Sequence, residues 1–118
     1  MSVIDVDQLV TDIKDAATQI VKKDITTVKG FSERQVKALG QQAALVAEGI
    51  AKGQITEETR EFFLDSLETM AQNFIHTLQG LFLLTVERIW NAVVDVIWGT
   101  INKAISAATG ITLPVPAR

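Results

Sequence analysis

Few residues of the types that usually do chemistry occur in this chain, and their spacing assembles no recognisable active site. His76 is the only histidine, and no glutamate stands three residues before it, so the Glu-x-x-His pair of helical metal sites is absent. Cysteine is also absent, which excludes thiolate catalysis, disulfides and cysteine-based zinc sites. A serine nucleophile would need a neighbouring base, and neither a Gly-x-Ser-x-Gly elbow nor a phosphate-binding glycine loop occurs. We therefore expect a protein that is not an enzyme and that requires no cofactor.

One group of carboxylates stands at three- and four-residue steps along the middle of the chain: Glu58, Glu61, Asp65 and Glu68. On a helix they would share one face, where a divalent cation could bridge two of them. A solvated or lysine-paired face is the more common role of such a pattern, so we predict no metal site. We interpret His76 as a histidine at the edge of the core.

The composition of the chain favours one compact helical core. Of its 118 residues, 47% are hydrophobic and 21% are charged, and the net charge is −3. There are only two prolines, both within the final segment, so long helices are expected rather than many short strands. The basic residues are scattered, which predicts no nucleic-acid partner, and nothing predicts a small-molecule substrate. The acidic N-terminal residues predict no cleaved secretory signal, which leaves a cytoplasmic location or one within an assembly or at a membrane.

Residues 1–53 predict an amphipathic helical hairpin. Its first helix has apolar residues at three- and four-residue steps, with Asp5 or Asp7 as its cap. The second helix has a capping box at Ser32 and Gln35 and ends at Gly53. The apolar stripes of the two helices contain Val6, Leu9, Val10, Ile13, Ala17, Ile20 and Val21, and then Val36, Leu39, Ala43, Val46 and Ile50.

Residues 54–109 predict one long helix that begins after the cap Thr56, and residues 110–118 predict an extended tail because of Pro114 and Pro116. At about 1.5 Å per residue the helix would be roughly 80 Å long if it were unbroken. Gly80 is its weak point, and the sequence is compatible with either a kink there or a straight helix. Its first half has a buried stripe that Phe62 widens. The predicted fold is all-α: a helical hairpin packed on the long C-terminal helix, as a three- to four-helix bundle that forms oligomers.

Residues 81–105 are the most unusual segment, because their apolar arc is wider than the roughly 100° that a helix on one side of a bundle needs. A narrow polar stripe completes this segment and is expected to fix the register between packed helices: Arg88, Asn91, Asp95 and Asn102. We predict that the apolar residues form an interface: Leu81, Leu84, Ile89, Trp90, Val93, Val94, Ile97, Trp98, Ile101 and Ile105.

Three interpretations of this arc differ in what covers it. The arc could be wrapped by the first two helices and by copies of the chain. It could lie on a membrane, with Trp90 and Trp98 at headgroup depth. It could span a bilayer, although Glu87, Arg88 and Asp95 make that costly. We favour the first, because two short helices would leave a larger apolar patch than a soluble monomer tolerates.

The sequence therefore predicts a non-enzymatic, self-associating helical protein that is a structural or adaptor component of a larger protein assembly. The alternative is a membrane-active protein, a pore-former or a peripheral binder, that inserts residues 81–105 into lipid or lays them on it.

Overall fold

A computed structural model describes residues 4–22, 27, 33–82 and 86–116, and within those ranges the chain is helical with no strand. Four helices follow one another: α1 (Val6–Val21), α2 (Glu33–Ala51), α3 (Glu57–Phe82) and α4 (Val86–Thr109). Residues 111–116 then form an extended segment, which we call the strap. The predicted all-α helical bundle is confirmed.

The ends of α1 follow from local chemistry. The Asp5 side chain accepts a hydrogen bond of 3.2 Å from the Gln8 backbone N–H, so the predicted cap at Asp5 is confirmed. At the other end, Lys22 adopts a left-handed conformation with φ of 57°, and its N–H bonds to the Thr18 carbonyl. Between these ends Leu9, Val10, Ile13 and Ala17 are buried, as the apolar stripe predicts. The capping box predicted at Ser32 lies outside the described residues.

The connection between α2 and α3 is tight because a glycine and an isoleucine come very close together. The Ile55 N–H donates to the Gly49 carbonyl at 2.9 Å, and a Cβ added at Gly49 would lie 2.5 Å from Ile55 Cδ1. Gly53, in the same connection, has φ of 75°, which a residue with a side chain adopts only with strain. Helix α3 begins after Thr56, whose carbonyl accepts the Arg60 N–H at 2.8 Å.

The long C-terminal helix of the sequence prediction is two helices in the structure. Helix α3 ends at Phe82 and α4 begins at Val86, and the two contact each other. The longest dimension of the molecule is 40 Å, about half the length that an unbroken helix would have. The kink at Gly80 is not confirmed, because Gly80 lies inside α3 and the helices divide beyond it. The physical reason is burial: doubling back lets α3 cover α4 together with α1 and α2.

Helix α4 lies at the centre of the bundle and contacts all three other helices. The core along α4 consists of side chains at most 1% exposed, and each contributes roughly 1.5–3 kcal/mol from burial before entropic costs. These side chains are Ile89, Trp90, Val93, Val94, Ile97, Trp98, Ile101 and Ile105. The wide apolar arc of α4 is therefore satisfied by surrounding helices of the same chain.

Substituting the helical glycines tests this arrangement. We expect Gly80→Ala to stabilise the protein by about 0.5–1 kcal/mol, because a Cβ there would meet no atom of another described part of the chain within 4 Å. Gly49→Ala is the matched control with the opposite sign, and it should destabilise by about 1 kcal/mol or more through overpacking against Ile55. Urea unfolding at equilibrium measures both. A loss of stability in Gly80→Ala would mean that the glycine is required for a bend.

Candidate functional site

The apolar residues predicted to form an interface lie inside the fold of a single chain. All except Leu81 and Leu84 are at most 1% exposed; Leu81 is half-buried, and Leu84 lies outside the described residues. The expectation that the arc needs an outside partner is therefore corrected. The expected cover consisted of α1 and α2 alone, whereas α3 and the strap also pack on α4. Self-association itself stays a prediction, and it would need a surface other than this arc.

The polar stripe of α4 does not lie between the helices of this bundle. Arg88, Asn91 and Asp95 are exposed, so the register role expected of them has no counterpart in the described fold. Asn102 differs because it is half-buried and binds the strap. Among the helices of the described ranges, none is long and apolar enough to cross a membrane.

Asn102 holds the strap with both atoms of its side-chain amide. Its Oδ1 accepts the Leu113 N–H at 2.7 Å, and its Nδ2 donates to the Leu113 carbonyl at 2.9 Å. A second anchor is the Trp90 indole, whose Nε1 donates to the Pro116 carbonyl at 3.0 Å. The chain turns at Gly110, where φ is 75°, and the strap then runs back along α4. Leu113 is 3% exposed, so the strap completes the cover of the core.

A groove of about 360 Å³ lies between α3 and the strap. Part of its lining is apolar and comes from the strap, from α4 and from α3: Leu113, Pro114, Pro116, Trp98 and Leu64. The rest is mainly acidic and comes from successive turns of α3: Glu57, Glu61, Asp65 and Glu68. The groove thus combines an apolar surface with a row of carboxylates, and it is the candidate functional site.

The carboxylates of the groove have no ion-pair partner among the described residues. The ion pairs in the described ranges join Lys14 to Glu33 and Lys52 to Glu48, away from the groove. In the second pair, the hydrogen bond and the positive charge of Lys52 lower the pKa of Glu48. Among the described residues that line the groove, Arg60 is the one with a basic side chain, and its Nε is buried without a hydrogen-bond partner among them. The lining therefore keeps an excess of negative charge.

Phe62 lies beside this acidic row and is the most exposed large apolar residue of the described chain, at 71%. Because residues three and four apart are neighbours on a helix, Phe62 is flanked by Glu58 and Asp65. Its ring packs edge-on against Phe63, with centroids 5.4 Å apart. The expectation that Phe62 widens a buried stripe is wrong. Its position between Glu58 and Asp65 on the helix was the feature of the sequence that indicates an exposed side chain.

Other features of the described residues offer less chemistry. Two neighbouring cavities between α1 and α4 each have two aspartates and Lys103 in their lining, Asp12 with Asp15 in one and Asp12 with Asp5 in the other, so Lys103 offsets part of the negative charge there. His76 is exposed rather than at the edge of the core as expected. No group of three or more histidine, aspartate or glutamate side chains in the described ranges could hold a metal ion.

Removing the Asn102 amide tests how the strap is held. We expect Asn102→Ala to destabilise the protein by about 1–3 kcal/mol, because two partly buried hydrogen bonds are lost, and to speed hydrogen exchange at the Leu113 amide. Asn91→Ala is the control, since Asn91 is exposed on the same helix and should change neither quantity. Amide exchange by NMR and urea unfolding measure the two effects. Unchanged exchange at Leu113 in Asn102→Ala would contradict this description of the strap.

Comparison with known proteins adds no further assignment. No protein-family model matches the chain, and neither the curated proteins nor the solved structures contain a match. The groove and the exposed face of α3 are therefore the features that point to a function.

Proposed function

We propose that the chain is a non-enzymatic structural or adaptor component of a larger protein assembly, and that it binds its partner through α3. The observation that carries this proposal is Phe62, whose ring is 71% exposed on the side of α3 that faces away from the core. Aromatic side chains contribute strongly to protein interfaces because they bury a large area with little loss of side-chain entropy. The Phe62 ring buries this area only when a partner covers it.

The groove supports the same role because it extends the contact surface beyond one ring. Glu57, Glu61, Asp65 and Glu68 separate Phe62 from the apolar lining of the groove, according to their order around α3. A partner that crosses this acidic row would touch apolar surface on both sides of it. Specific protein interfaces combine apolar contacts with about one hydrogen bond per 100–200 Å² of buried area, and this surface offers both kinds of contact.

The membrane-active alternative has less support. The apolar side chains of α4 that would meet lipid are enclosed by other helices and the strap. Exposing them would require α4 to leave the bundle, with loss of most of the buried core. An assembly role through α3 requires no such rearrangement, so we place it first.

Site-specific photo-crosslinking tests the proposal in the cells that produce the protein. With p-benzoylphenylalanine at position 62, we expect discrete crosslinked products after irradiation, because the ring would lie against the partner. The matched control carries the same amino acid at position 45, where Leu45 is 57% exposed on α2. Products at position 62 and none at position 45 are the expected result. Equal products at both positions, or none at position 62, would contradict an interface on α3.

A further inference from the structure

We propose that the groove between α3 and the strap binds a cationic segment of the partner protein, one that carries lysine or arginine around a bulky apolar side chain. This inference rests on the assembly role proposed above and specifies the chemistry of the partner. Three properties of the groove favour a short basic and apolar peptide segment as the occupant: its charge, its apolar lining and its dimensions.

The charge of the groove selects a positive occupant. Four carboxylates line it against one guanidinium, that of Arg60, and none of the four forms an ion pair within the described part of the chain. Unpaired carboxylates at neighbouring positions repel each other, so an approaching cation relieves repulsion as well as gaining attraction. Positively charged side chains placed along this row would each meet a carboxylate at successive turns of α3.

The apolar lining requires more than charge from the occupant. Leu64 from α3 and the strap residues Pro114 and Pro116 provide the accessible apolar surface, which lies over the buried Trp98 and Leu113, and water forms few hydrogen bonds there. A bulky apolar side chain of the partner would release that water. A segment with lysines alone would gain only screened surface attractions, which are individually weak. The combination of charge and apolar contact therefore distinguishes a specific partner from any polycation.

The dimensions of the groove fit a short segment. From Glu57 to Glu68 the acidic row is roughly 16 Å long, at about 1.5 Å per residue of helix. An extended chain of about five residues covers that length at about 3.3 Å per residue. The strap that forms the opposite wall is itself extended, and the binding of Leu113 shows that this part of the molecule accommodates an extended backbone with an inward apolar side chain.

A second copy of this chain is a poor occupant of the same surface. The net charge of the chain is −3, and a symmetric contact through α3 would place Glu61 and Asp65 of the two copies against each other. Like charges juxtaposed at an interface oppose binding. Salt separates the two cases, because screening should strengthen a contact between copies and weaken the binding of a cationic segment.

The test uses the full chain and fluorescently labelled synthetic peptides of equal length. One peptide alternates lysine with leucine, a second alternates lysine with serine, and a third alternates glutamate with leucine. Fluorescence anisotropy should detect binding of the lysine–leucine peptide, with an affinity that falls as salt rises. The other two peptides should bind at least roughly tenfold more weakly, since each lacks one of the two required contacts.

Matched charge variants locate the binding. The double variant Glu61→Gln and Asp65→Asn should weaken the lysine–leucine peptide by roughly three- to tenfold, as expected for two exposed charge contacts. The control, Asp15→Asn with Glu87→Gln, removes the same charge from exposed positions on α1 and α4 and should leave the affinity unchanged. Equal loss in both variants would mean attraction to the overall charge and would overturn the proposal.

Two further outcomes would also overturn it. Equal binding of the lysine–serine peptide would show that binding needs no apolar side chain. Absence of binding by the lysine–leucine peptide would show that the groove does not bind a basic and apolar segment. If no peptide binds while crosslinks form at position 62, the assembly role stands and only the chemistry assigned to the partner fails. A crosslinked product of twice the mass of the chain would identify a second copy as the occupant and would equally overturn the cationic assignment.

Discussion

The burial of the apolar arc of α4 is the constraint that determines how the other elements are arranged. A helix whose apolar arc is this wide cannot remain on the outside of a bundle without exposing a large patch. In this fold α1, α2 and α3 all contact α4, and Trp90, Val94, Ile97 and Trp98 are at most 1% exposed. The arrangement of the molecule is therefore largely the set of positions that enclose this one helix.

The strap extends that enclosure and links it to the candidate site. Helices α1, α2 and α3 leave an edge of α4 that the strap covers, held by the Asn102 amide and the Trp90 indole. Because the strap returns along α4 instead of leaving the molecule, it lies opposite α3 and forms the second wall of the groove. The same hydrogen bonds that complete the core thus shape the surface that we assign to partner binding.

Local features of the fold were predictable and tertiary ones were not. The Asp5 cap and the stripe of α1 depend on residues three or four positions apart, so the sequence reveals them. Gly80 is the local signal for a break in the C-terminal region, and the sequence is compatible with a kink or a straight helix there, whereas the structure has separate helices that end at Phe82 and begin at Val86, so that α3 covers α4. Phe62 was assigned to the core for a similar reason: which side of α3 is buried depends on α4. The role of Asn102 depends on Leu113, which lies too far along the chain for periodicity to connect them.

The most direct test of the account uses the two tryptophans of the chain, both of which lie on α4. Their emission wavelength and quenching by acrylamide should be followed while the purified chain is diluted without detergent, until any oligomer has dissociated. If the chain itself encloses α4, the emission stays blue-shifted and the quenching stays weak at every concentration. Emission that shifts to the red and quenching that rises on dilution would contradict the account, because burial of Trp90 and Trp98 would then depend on a partner.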